Sequence, residues 1–195
     1  MKIKQIVNSV LQSNTYILYF NDDTDVALID IGDVAPVLSS LKENQSIGNI
    51  FLTHTHYDHI YGLPHILKVF PECKIYTSKF GHKALQSSKL NLSKYHNDSI
   101  ICNPSQLQIL SQGDIVKVYD SYVEVMETPG HDKSCLSYII GNNLFSGDSY
   151  IPGYKVLSSL PNSNRDDAIS SELRLSELSK SNNLFPGHHK TFLID

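Results

Sequence analysis

Residues 51–62 read Phe51-Leu52-Thr53-His54-Thr55-His56-Tyr57-Asp58-His59-Ile60-Tyr61-Gly62, an apolar run that passes directly into four potential metal ligands. Side chains two apart on an extended segment point the same way, so His54 and His56 can present their imidazoles to one cation. Apolar spacing over Ile60–Phe70 predicts a helix immediately afterwards. Asp58 and His59 then fall at the turn between strand and helix, face another direction, and suit a second cation close to the first.

Three more fragments share this form. Glu127-Thr128-Pro129-Gly130-His131, Leu144-Phe145-Ser146-Gly147-Asp148 and Leu184-Phe185-Pro186-Gly187-His188 each bring a strand-like run into a glycine turn and leave a ligand just beyond it. Such a turn ends the strand abruptly and places the next side chain at the sheet edge, where sites on rigid scaffolds concentrate. Imidazole and carboxylate donors without thiolate suit zinc best, with iron and manganese as the alternatives.

The rest of the chain is strand-rich. Short runs of β-branched and aromatic residues predict strands at Thr15–Phe20, Val26–Ile31, Ile50–Thr53, Lys74–Thr77, Ile115–Val118, Val123–Glu127, Leu136–Ile140 and Asn143–Ser146. Asn21-Asp22-Asp23, Asp120-Ser121 and Gly141-Asn142 are the expected turns. Helical spacing appears in Val34–Asn44, in Ile60–Phe70 and most clearly in 164–181, where Ile169, Leu173, Leu175 and Leu178 can share one core-facing stripe. With a final apolar piece at Asn183–Phe185, the pattern is that of an α+β chain with two sheets packed together and helices outside.

Composition narrows the function classes. A chain of 195 residues, 41% hydrophobic, suits one domain over 1–195, with a core large enough to need no metal or disulfide merely to fold. The net charge is −4, and Arg165 and Arg174 are the only arginines, which excludes the dense basic face of a nucleic-acid binder. No stretch approaches the ~20 apolar residues of a membrane span, and the N-terminus lacks an apolar core leading to a cleavage site; a soluble cytoplasmic protein is the expectation. Cys73, Cys102 and Cys135 are too few for a disulfide framework and read as buried apolar side chains.

His54-Thr55-His56-Tyr57-Asp58-His59 resembles the HxHxDH signature of the metallo-β-lactamase-fold hydrolases, followed in their order by the second histidine, the aspartate and the terminal histidine. Leu28-Ile29-Asp30-Ile31-Gly32 is similar to the strand and acidic turn that precede that signature, so the likeness covers nearly the whole chain. It implies a four-layer αβ/βα sandwich of two mixed sheets with a metal centre at one edge. Position by position it implies His54, His56 and His131 on one cation, Asp58, His59 and His188 on a second, and Asp148 bridging both. The resemblance further implies Asp58 and Asp148 as catalytic carboxylates, two Zn2+ ions (or Fe or Mn) as cofactors, and a metal-bridging hydroxide as nucleophile. Asp30 matches a structural position outside the ligand set. His189 follows His188 and is the alternative terminal ligand, although the Pro-Gly-His frame favours His188.

What the resemblance implies is closest to the glyoxalase II-like thioester hydrolases, acting on an ester, thioester or phosphoester of a small-molecule substrate. The glutathione-binding helical extension of glyoxalase II is not found after His188, and a small or compact substrate is the expectation. The rival readings are a mononuclear iron persulfide dioxygenase, which uses only the first site, and a non-catalytic metal-binding module. Lys133, Tyr57, Tyr61 and Tyr150 lie near ligands in sequence and could hold an anionic group; solvated lysine and packed tyrosine are the plainer alternatives. Nothing is assigned to His65, His82 or His96. Loops at Tyr61–His65, Leu90–Asp98 and Ser149–Ser163 are expected to line the pocket.

Overall fold

Residues 1–20 and 25–194 are described by the computed structural model. Period-two alternation builds its layers. Along β1 (Lys2–Val7), β2 (Asn14–Tyr19), β3 (Asp25–Ile29) and β4 (Ser46–Phe51), Ile17, Val26, Leu28 and Ile50 face one side, and Tyr16, Leu18, Ala27, Ile29 and Phe51 face the other. A sheet apolar on both faces must be covered on both. With β5 (Lys74–Ser78) and β6 (Leu107–Leu110) it forms six strands in the order β1-β2-β3-β4-β5-β6, antiparallel up to β3 and parallel from there on.

The second sheet has the order β11-β10-β9-β8-β7, from β7 (Ile115–Val118), β8 (Ser121–Glu127), β9 (Leu136–Ile140), β10 (Asn143–Gly147) and β11 (Asn183–Pro186). Among its described strands, β10 and β11 are parallel neighbours and the other neighbouring pairs are antiparallel. Between the sheets, Tyr16 and Phe51 meet Tyr138, Phe145 and Phe185 in edge-on ring contacts with centroids 5.4–5.6 Å apart. Outside the first sheet lie α1 (Val34–Leu38), α2 (Tyr57–Ile60), α3 (Leu63–Val69) and α4 (Lys79–Ala84), with Val37, Ile60, Leu63 and Ile66 packed against Ile17 and Leu28. Outside the second lies α5 (Arg165–Leu178), whose Leu175 packs with Leu144 and Leu184. These are the four layers of the expected sandwich. Among the described residues, no helix is long and apolar enough to cross a membrane.

Several elements differ from the sequence expectation. The first helix ends at Leu38 rather than Asn44: Ser40 Oγ bonds back to the Pro36 carbonyl at 2.6 Å, and Asn44 takes a left-handed φ of 74°. The helix expected over Ile60–Phe70 is α3, and Asp58 and His59, expected at the turn before it, lie in the short α2; the two helices are separated where Gly62 passes so close to the segment after β3 that an added Cβ would lie 2.3 Å from the Gly32 carbonyl oxygen. In α5 the stripe is corrected. Ile169 and Leu173 are 48% and 68% exposed, and the buried face is Ala168, Ser171 and Leu175. Register pairs Val118 with Ser121, which moves that turn to Tyr119-Asp120. β1, β6 and α4 have no counterpart in the expectation, while the turn at Asn21-Asp22-Asp23 lies outside the described residues.

Candidate metal centre

Strand direction gathers the candidate ligands. β3 and β4 are parallel, so Asp30 and the segment after Phe51 emerge at one edge of the first sheet. In the second sheet β8, β10 and β11 also share a direction, and His131, Asp148 and His188 follow their ends. Cross-sheet hydrogen bonds hold the two edges together: Leu136 N to the Thr53 carbonyl at 2.7 Å, Tyr138 Oη to the Leu52 carbonyl at 2.6 Å, and Tyr16 Oη to the Pro186 carbonyl at 2.7 Å.

All seven side chains singled out in the sequence meet there. Three sets have donor atoms close enough to hold one ion: His54, His56 and His131; His54, His59 and Asp148; and Asp58, His59 and His188. Asp148 reaches across, its carboxylate oxygens lying 3.5 Å from His59 Nε2, 3.5 Å from His131 Nε2 and 3.3 Å from His188 Nε2. Asp58 Oδ2 lies 3.4 Å from both His59 Nε2 and His188 Nε2. His189 is not part of the cluster. Its ring stacks on Tyr154 at 4.1 Å, leaving His188 as the terminal histidine.

The outer hydrogen bonds decide which ring nitrogen faces inward. A carbonyl can only accept, so His131 donates Nδ1–H to the Leu157 carbonyl at 2.8 Å and His188 donates Nδ1–H to the Leu11 carbonyl at 3.1 Å. His59 Nδ1 lies 2.9 Å from Asp30 Oδ2. In each ring the remaining nitrogen, Nε2, is turned into the cluster, where in the neutral form it offers a lone pair; that of His131 lies 2.9 Å from His56 Nδ1. His54 Nε2 and Asp148 Oδ1 are buried with no hydrogen-bond partner, an arrangement that a protein interior rarely tolerates unless something else binds there. These side chains therefore fit a cation.

Charge supports the same reading. Burial alone would raise Asp148, but His59, His188 and His131 more than reverse it and hold the carboxyl well below its ordinary range. Asp58 is likewise lowered, against its burial, by His59 and His188. Burial depresses His59, yet Asp58, Asp148 and Asp30 carry it up to about 9; His188 is lifted to about 10 by Asp148 and Asp58 against the same opposition. His54 is pushed well below its usual value by burial and by His59 and His56, and stays neutral. Without a metal, protonated His59 and His188 supply the positive charge the two carboxylates attract, and a bound cation would take the place of their Nε2 protons.

Two residues beyond the seven order the site. Asp30, at a left-handed φ of 55°, is buried and accepts from Thr53 N at 2.7 Å and Thr53 Oγ1 at 2.6 Å as well as from His59. Asp132 was not anticipated from the sequence. Its Oδ1 accepts from Ser134 N and Oγ, and its Oδ2 lies 3.5 Å from His56 Nε2, so that His56 turns Nδ1 toward His131. An aspartate directly after a glycine-delivered histidine was the available signal.

The model of the metallo-beta-lactamase superfamily matches residues 8–188. The chain belongs to the metallo-beta-lactamase superfamily. Hydroxyacylglutathione hydrolase of Actinobacillus pleuropneumoniae serotype 5b is 30% identical over 143 residues, covering 72% of this chain and 52% of that protein. The chain thus spans about half the length of the hydroxyacylglutathione hydrolases it matches. A probable metallo-hydrolase of Streptococcus pyogenes serotype M6 is 30% identical over 203 residues, 96% of this superfamily member and 84% of that one. Among solved structures, the BLEG-1 B3 metallo-beta-lactamase superposes with a TM-score of 0.83 at 24% identity, covering 97% of this chain and 93% of that one. That likeness is one of fold.

The plainer alternatives hold for most of the accessory residues. Tyr61 Oη donates to Asp33 at 2.6 Å, Tyr150 packs against the α5 cluster, and Lys133 lines a different cavity. Cys73, Cys102 and Cys135 are buried free thiols, raised by burial. His96 does more than expected, since its ring stacks on Tyr57 at 4.2 Å beside the cluster.

Proposed function

We propose that this superfamily member is a metal-dependent hydrolase with a dinuclear centre, best suited to zinc, that cleaves an ester, thioester or phosphoester of a small-molecule substrate. One observation carries the reading: His59, His131 and His188 spend Nδ1 on outward acceptors and turn Nε2 toward the Asp58 and Asp148 carboxylates. His54, His56 and His131 would hold one cation and Asp58, His59 and His188 the other, with Asp148 between them. Divalent cations bound there acidify water and polarise the carbonyl or phosphoryl oxygen under attack.

Hydrolysis of an ester or thioester places water's oxygen on the acyl carbon. The acyl C–O or C–S bond breaks with its electron pair on the departing atom, which receives a proton. Asp58 and Asp148 are the carboxylates assigned to that proton. Both are held below the ordinary carboxylate range by their histidine neighbours, so they stay ionised and a proton can only pass over them, from the attacking water to the departing atom. The Asp58, His59 and His188 set offers donors for a second cation beside the first, which supports two cations over one, and metal analysis separates this reading from the mononuclear iron alternative, whose enzymes share the HxHxDH block. Free thiols at Cys73, Cys102 and Cys135 suit a reducing compartment, and we assign the protein to the cytoplasm on that basis.

A panel of thioesters, esters and phosphodiesters, offered to the zinc-loaded chain with oxygen uptake recorded in parallel, tests the proposal. Turnover lost in Asp148→Ala and in chelator supports it. Unchanged turnover in metal-free protein, or oxygen consumption with glutathione persulfide in its place, overturns it.

A further inference from the structure

A cavity of about 600 Å3 opens directly beside the candidate metal centre, with His56 and Asp58 in its wall. Leu11, Leu92, Tyr95, Leu157, Leu160 and Pro161 supply most of the remaining surface, and neither lysine nor arginine lines it. Three of these side chains are unusually open to water for their type: Leu11 at 67%, Tyr95 at 62% and Leu157 at 52%. Exposed apolar residues converging on one concavity mark a site for an apolar ligand.

The rim is registered against the centre. The backbone carbonyls of Leu11 and Leu157 orient His188 and His131, so the loops that present the two apolar side chains also aim two candidate ligands. A group lying in the cavity therefore meets the cluster at a fixed place. Tyr57 and His96 complete the wall, and Lys94 Nζ lies over the outer Tyr95 ring, 4.9 Å from its centroid; deeper in the cavity an anionic group would lose its water with neither lysine nor arginine in the wall to replace it, and would face the Asp58 carboxylate as well. On the His131 and Asp148 side, the second opening measures only about 110 Å3, so that a bulky group has room in the larger cavity alone.

We infer that the substrate carries an uncharged apolar group, a medium-length aliphatic chain or an aromatic ring, attached to the scissile ester or thioester and held in this cavity. The inference rests on the hydrolase reading for its chemistry and on the cavity alone for its binding, and the two are tested apart. The cavity disfavours a charged glutathione thioester.

Binding to the zinc-loaded full chain is measured by calorimetry for 2-octanone and for 7-oxooctanoate, which differ by a terminal carboxylate. The ketone is expected to bind at least about tenfold more tightly, and Leu160→Glu, a side chain on the cavity wall outside the metal cluster, is expected to remove its advantage. Equal or tighter binding of the oxo acid, or binding of neither, overturns the inference. Hydrolysis of p-nitrophenyl esters supplies the second arm. Rates at low substrate should rise roughly three- to fourfold per methylene, on the order of a hundredfold from acetyl to hexanoyl, and a flat series overturns the inference. Ketone binding without cleavage of any ester supports the cavity assignment and overturns the hydrolase reading alone.

Discussion

Asp30→Asn keeps the shape of a buried side chain and replaces one acceptor oxygen with a donating NH2 group. Asparagine adopts the left-handed backbone of residue 30 readily, so the main chain has no reason to move. The hydrogen bonds do have to change. Oδ1 accepts from Thr53 N, while Oδ2 accepts from Thr53 Oγ1 and His59 Nδ1. An amide nitrogen at the Oδ2 position meets the His59 Nδ1–H, and the ring escapes only by moving its proton to Nε2, the nitrogen that faces Asp58 and Asp148. The opposite orientation sets NH2 against a main-chain N–H that has no tautomer to exchange. Either way a charge-assisted bond is lost, about 1.5–3 kcal/mol. Zinc affinity should fall about 10–100-fold, as when an outer partner of a ligand histidine is removed. Denaturant midpoints of the metal-stripped proteins measure the first effect, and competition with a chelator measures the second. Unchanged zinc affinity in a folded Asp30→Asn protein would falsify the claim that Asp30 sets the His59 tautomer.

In Gly187→Ala the new Cβ would lie 2.0 Å from Asp148 Oδ1 and 2.9 Å from the Gly147 carbonyl carbon. The carboxylate must swing away, so chelator competition should show at least about a tenfold weaker metal site, and wild-type affinity would contradict the placement. For metal-stripped protein, the sign of the pH dependence follows from His59 and His188, whose folded values of about 9 and about 10 exceed the ordinary 6.5. Their stabilisation is complete below 6.5 and lost as pH rises through 9 and 10, so urea midpoints in chelator should fall over that window; a rising midpoint contradicts it. Leu175→Ala should cost about 2–5 kcal/mol and Leu173→Ala no more than about 0.5 kcal/mol, measured by denaturation, and the reverse order would contradict the observed facing of α5.

Most of the candidate centre was legible because its candidate ligands follow strand ends, where a glycine or a change of period marks the chain locally. His54, His56, Asp58 and His59 needed one segment; His131, Asp148 and His188 needed three repetitions of the same turn. The His188 and His189 ambiguity had no local answer, and it took the stack on Tyr154 to place His189 elsewhere. Edge strands were the weak point. β1 buries only Ile6 and β6 is four residues long, so neither carries a strong alternating signal. The α5 stripe misled because Ile169 and Leu173 are apolar yet exposed, while the small Ala168 and Ser171 make the close contact. Pocket-lining residues were half visible: the loops after Leu90 and Ser149 do line the large cavity, Tyr61–His65 does not, and Leu11 comes from a turn with no telling composition. The position of Asp132 directly after His131 marks it in the sequence, but its approach to His56 is set by the packed sheets.

Elemental analysis of the purified full chain, run beside Asp148→Ala, tests the central claim most directly. If the seven side chains hold two cations as proposed, the wild-type chain should carry close to two equivalents of transition metal and the variant should be depleted of both. A wild-type protein that takes up none when offered zinc, or a variant that keeps its full complement, would contradict the account.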